Sequence, residues 1–136
     1  MEFHPHPKFV DELSAFIKRH GQTQTTVNET LKHIHQSLLT HFDRTKVFPQ
    51  KRLGPAKGFG VHEVYFYKLI LPECPQLVRT QHPKSYFYKK GGLISMLCCD
   101  SHIEDYKNSK LIETAKVRLS EMLDLLLELP EEGDLL

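Results

Sequence analysis

The stretch SYFYKKGGLISMLCC, residues 85–99, sets two runs rich in aromatic and apolar residues on either side of Gly91-Gly92. Glycine tolerates the positive φ that a tight reversal demands, so the pair reads as the turn of a β-hairpin. A hairpin alone is marginal in water and needs other elements to cover its apolar side chains. Upstream, VHEVYFYKLILP (61–72) has the β-branched and aromatic content of a strand, closed by Pro72. Leu77–Thr80 is expected to add a short strand, and MEFHP (1–5) another. Downstream, Leu111, Ile112, Ala115, Leu119, Met122, Leu123 and Leu126 recur at helical spacing from about Ser109, and Pro130 stops that helix.

Two more helices precede the strands. Phe9, Val10, Leu13, Phe16 and Ile17 form one stripe, with Gly21 placed to end it. Thr26 and Glu29 have capping-box spacing, and Val27, Leu31, Ile34, Leu38 and Phe42 carry a second apolar seam. Both seams need one surface to cover, which makes a helical hairpin. The following segment, DRTKVFPQKRLGPAKGFG (43–60), has the Gly and Pro density of a loop and carries five basic residues. The expected fold is α+β, in the order β-α-α-β-β-β-α. A small antiparallel or mixed sheet would carry its helices on one face and leave the other partly open. One domain over residues 1–129 and an acidic tail, 130–136, account for the chain.

At 40% hydrophobic and 26% charged residues, the composition excludes a disordered or collagen-like chain. No apolar run approaches the roughly 20 residues that span a bilayer, and the start lacks a basic n-region before an apolar h-region, so a cytoplasmic protein is expected. Cys74, Cys98 and Cys99 are an odd set without a CxxC pair, which argues for reduced thiols over a disulfide framework or a cysteine-rich zinc site. Charge is unevenly spread. Ten Lys and Arg against Glu63 and Glu73 give residues 44–92 a net charge of +8, so the flanks carry −7 of the overall +1. A basic middle suits a polyanion such as nucleic acid; a solvated, lysine-fringed sheet edge explains it equally.

The opening strand with FHPHPKFVDEL, the helical hairpin, the basic loop KRLGPAKGFGVHEVYFYKL, strands with LVRT and SYFYKKGGLISML, and a final helix resemble the RelE/ParE superfamily of bacterial toxins. The resemblance is one of element order over most of the chain. It departs from the family pattern in the longer HPKSYFY segment and in a less basic overall charge. It implies a RelE-like toxin of a type II toxin–antitoxin module: an mRNA endonuclease that acts with the ribosome and is held in check by a cognate antitoxin. The ParE-like alternative is a non-enzymatic inhibitor of DNA gyrase. Carried onto this chain, the pattern places phosphate-binding cations at Lys51, Arg52 and Lys57, an arginine at Arg79, and His102, Asp105, Tyr106 and Lys107 after the last strand.

Metal-independent RNA cleavage needs a base for the 2′-OH proton, cations for the charge growing on phosphate oxygens, and an acid for the departing 5′-oxygen. Histidine suits either proton transfer, and Arg or Lys the phosphate. His102 and Tyr106 with Lys107 are therefore the expected proton-transfer residues, and Arg79 completes the catalytic set by stabilising the phosphate. Lys84, among the aromatics Tyr65, Phe66, Tyr67, Tyr86, Phe87 and Tyr88, is a further candidate for RNA. The competing reading makes DSHIEDYKNS (100–109) a polar turn, with Asn108 or Ser109 as a helix cap. A third class, a nucleic-acid-binding domain without toxicity, also fits. His62 and Glu63 alternate onto opposite faces, and His82 is expected at the surface of a Pro-containing loop. His4, His6, His33, His35 and His41 lack the spacing that puts ligands on one helix face, so no metal or cofactor is expected.

Overall fold

The computed structural model describes residues 2–21, 26–104 and 107–127. A short strand β1 (Glu2–Phe3) leads into helix α1 (Pro7–His20). The His6 ring caps α1, its Nδ1 accepting from the Lys8 N–H at 3.0 Å, and Pro7 starts the helix where its missing N–H costs nothing. Gly21 closes it by donating to the Ile17 carbonyl. Helix α2 (Val27–Phe42) opens on Thr26, whose Oγ1 accepts from the Glu29 N–H at 3.3 Å.

Strands β2 (Leu53–Pro55), β3 (Val64–Lys68), β4 (Lys84–Lys90) and β5 (Leu93–Asp100) follow, and helix α3 (Asn108–Leu127) ends the described fold. The sheet is mixed, in the order β1-β5-β4-β3-β2, with only the β1–β5 pair parallel. The predicted hairpin is β4–β5, turning at Gly91, whose φ is +55°. No helix among the described residues is long and apolar enough to cross a membrane.

Three expectations need correction. Leu77–Thr80 is not a strand: Arg79 begins a 3-10 turn, Arg79–Gln81. Its neighbours spend their hydrogen bonds locally, with Leu77 donating to Cys74, Gln81 to Val78, and the Val78 N–H to the Gln81 side chain. The basic loop adds strand β2 ahead of the three expected between α2 and α3, so the order is β-α-α-β-β-β-β-α. Gly54 makes this pairing possible, since a Cβ there would come within 2.9 Å of the Phe66 ring.

Neither is one sheet face left open. Helices α1 and α2 cover one face over Phe87, Ile94, Met96 and Cys99, while α3 covers the other over Tyr86, Tyr88, Leu97 and Cys98. Both parities of β4 and β5 are apolar, the pattern of strands buried on two sides. A bulge makes the alternation harder to read: Tyr86 pairs with Cys98 and Phe87 with Met96, which leaves Leu97 unpaired.

His82, expected at the surface, is 5% exposed. Its Nδ1 accepts the Leu71 N–H at 3.1 Å, satisfying a backbone donor in the stretch after β3. All three cysteines are buried free thiols. Burial, reinforced by Glu12, pushes the Cys98 thiol up to about 12.

Candidate functional site

Antiparallel pairing puts Lys68, the last residue of β3, directly opposite Lys84, the first of β4. Both are half-buried and stand on the α3 face, because they share parity with Phe66 and Tyr86. The Lys84 ammonium donates to Asn108 Oδ1 at 3.0 Å and lies 5.3 and 5.4 Å from the Phe66 and Tyr86 ring centroids. The Tyr86 hydroxyl donates to the same Asn108 oxygen at 3.1 Å. Lys68 Nζ reaches the Thr80 carbonyl at 3.3 Å, which brings the turn that carries Arg79 to the same end of the sheet.

Electrostatics follow from this crowding. Burial lowers the pKa of both lysines, and the charges of Lys84 and Arg79 lower that of Lys68 further. Asp100 stands opposite Lys84 in register on β5, its Oδ1 accepting the Ser101 N–H. Beyond it, His102 opens a 3-10 turn, His102–Glu104. Ser101 ties that turn to the Arg79 turn: its hydroxyl donates to the Gln81 carbonyl and accepts the Ile103 N–H. Lys107 precedes α3 and is exposed, as is His102.

The fold thus brings Arg79, Lys84, His102 and Lys107 to one end of the sheet, and adds Lys68 and Asn108. The other expected residues are placed differently. The Arg52 guanidinium is 4.2 Å from the Phe48 ring centroid and donates to the Lys68 carbonyl and the Tyr67 hydroxyl, so it braces the β2–β3 edge. Lys51 is exposed in the turn before β2. Lys57 follows the Ala56–Val64 backbone bond and so lies by the Val64 end of β3, about 13 Å along the strand from Lys68. Tyr106 and Asp105 lie outside the described residues, as does the 130–136 tail.

Of the six strand aromatics, Tyr67, Tyr86, Phe87 and Tyr88 are buried, and Tyr65 and Phe66 are half-buried. Burial and the neighbouring Glu63, which accepts its hydroxyl proton, raise the Tyr65 pKa to about 12. His62 packs edge-on against Tyr88, 5.9 Å between centroids. Among the described residues, no three His, Cys, Asp or Glu side chains are grouped to hold a metal ion. Lys68 was legible from alternation in VYFYK, which sets it on the face of Phe66; Asn108 offered no signal beyond helix capping. Comparison with protein-family models, curated proteins and solved structures gives no match.

Proposed function

We propose that this protein is a RelE-like toxin that cleaves mRNA, with Lys68, Lys84 and Arg79 holding the scissile phosphate and His102 and Lys107 serving proton transfer beside it. The observation that carries the reading is the Lys68–Lys84 pair. Like charges directly opposite in a sheet weaken it, and these two are half-buried with Arg79 near, so folding alone gives no reason for the arrangement. An anion bound between them would add to what Asp100, opposite Lys84, and the Asn108 and Thr80 oxygens supply, and the phosphodiester of RNA fits a site flanked by the half-buried ring of Phe66.

In this reading the 2′-oxygen attacks phosphorus as its proton passes to a base, and the bond to the 5′-oxygen breaks as an acid protonates it. His102 is suited to either transfer, and the Lys107 ammonium to the acid role. The cations stabilise charge on the non-bridging oxygens. The ribosome would present the message, and an antitoxin segment rich in acidic and apolar residues would cover this end of the sheet.

Inducible expression in bacteria of the wild type, His102→Ala and Lys84→Ala, with growth curves and mapping of mRNA 5′ ends, tests the proposal. New cleavage sites in the wild type that vanish in both variants are expected. Growth arrest with intact mRNA and accumulating DNA breaks would replace the nuclease by a gyrase inhibitor, and normal growth in all three would remove the toxin reading.

A further inference from the structure

We infer that Asn108 is a positioning residue of this centre, whose one carboxamide oxygen holds the Lys84 ammonium and the Tyr86 hydroxyl together and so aims the lysine at an RNA phosphate. The inference rests on the RNA-cleavage reading above and adds a residue to it.

The chemistry of the contact decides the role. Lys84 sits on a flexible four-carbon stem and faces Lys68, so Coulomb repulsion drives the two ammonium groups apart. A restraint on Lys84 must then come from an acceptor. A carboxylate would hold the ammonium more firmly, but it would also cancel the charge a phosphate needs. The neutral oxygen of Asn108 holds it at 3.0 Å and leaves the charge intact. Because the same oxygen takes the Tyr86 hydroxyl at 3.1 Å, and Tyr86 is locked in the α3-side core, the amide is itself held in one orientation.

A capping role does not account for this choice. Both bonds run to β4 rather than along α3, and Asp serves the first turn of a helix at least as well as Asn, with added benefit from the helix dipole. The groups facing Lys84 are Lys68 from β3, Tyr86 on its own strand, Asp100 from β5 and Asn108 from α3, with Arg79 and Lys107 on the adjoining turns. Exchanging Asn108 for Asp therefore places a carboxylate at the acceptor that holds the ammonium at 3.0 Å.

The test measures single-turnover cleavage of mRNA, naked and ribosome-bound, across pH for the wild type, Asn108→Ala and Asn108→Asp, with thermal melts of each. Asn108→Ala is expected to slow cleavage about tenfold, the worth of one charge-assisted hydrogen bond. Asn108→Asp, folded as well as the wild type, is expected to cleave more slowly at neutral pH and to lose activity on the alkaline side at a higher pH, because the carboxylate holds the Lys84 proton. An Asn108→Asp protein with wild-type rate and profile would reduce Asn108 to a cap and overturn the inference alone. A wild type that cuts neither form of mRNA would overturn the RNA reading and this inference with it.

Discussion

Arg118 of α3 and Glu12 of α1 form a two-pronged ion pair around the edge of β5, with N–O distances of 2.6 and 2.8 Å. The two helices lie on opposite faces of the sheet, so the pair is a clip across its margin. It also replaces a missing strand. The N-terminal segment pairs with β5 only as far as Met96, whose carbonyl takes the His6 N–H. Past that point Glu12 accepts the Cys99 N–H at 3.2 Å, and Arg118 donates to the Leu97 carbonyl at 3.1 Å. Backbone groups that would template pairing with another chain are thereby occupied.

Removing one half of the clip should be costly. Glu12→Leu leaves a largely buried guanidinium without its carboxylate and the Cys99 N–H without an acceptor, a loss of about 3 kcal/mol. The double variant Glu12→Leu with Arg118→Met should lose clearly less than the two single changes combined, because no charge is then stranded. Urea unfolding of the four proteins measures this cycle, and strict additivity would show that the pair contributes no coupling.

Stability should also fall in mild acid. Burial lowers the pKa of His82, and of His6 and His41, below the ordinary 6.5, so the unfolded chain takes up protons more readily than the folded one. Their contribution is complete above that value and is lost as pH drops through it toward the folded pKa values. For His82 the cause is structural, since protonation puts a hydrogen on the Nδ1 that accepts from Leu71. His82→Asn, which offers an oxygen acceptor that does not titrate, should show a shallower loss between neutral pH and pH of about 5. Parallel urea midpoints for the two proteins across that range would argue that His82 contributes nothing to the pH dependence.

How much of this was legible in the sequence depended on which signal each element carries. The three helices and the β4–β5 hairpin follow from periodicity, caps and the Gly91-Gly92 turn, all local features. Strand β2 does not: Leu-Gly-Pro has no strand character of its own, and it pairs because Gly54 lets the Phe66 ring lie against its backbone. The second covered face was legible in principle, since Leu97, Cys98 and Cys99 leave no polar side to LISMLCC. The site was half legible. Basic residues on the strands could be named, but only pairing register reveals that Lys68 and Lys84 stand opposite each other, and only the packing of α3 brings Asn108 to them.

The hairpin turn allows a test free of packing effects. Apart from its chain neighbours, no atom lies within 4 Å of a Cβ built on Gly91, so Gly91→Ala changes only backbone energy at a φ of +55°. A loss of about 1 kcal/mol is expected, and Gly91→Asn should recover most of it, since Asn enters the left-handed region more readily. Equal stability of the Ala and Gly proteins would mean that the turn relaxes to another type.

Stability and binding should part company at Lys68. Replacing it with Met keeps the length and apolar body of the side chain that lies along the sheet, and removes the charge opposite Lys84 and near Arg79. Relief of cross-strand repulsion should leave the Lys68→Met protein as stable as the wild type or up to about 1 kcal/mol more so. The two remaining cations, Lys84 and Arg79, would still attract RNA, but with one phosphate contact fewer, so the dependence of binding on salt should become shallower by about one counterion. Urea unfolding and RNA titrations at several salt concentrations separate the two effects. A Lys68→Met protein that is less stable than the wild type and binds RNA with an unchanged salt slope would make Lys68 a structural residue, held in place by the Thr80 carbonyl, and would leave the like-charged pair without a functional reason.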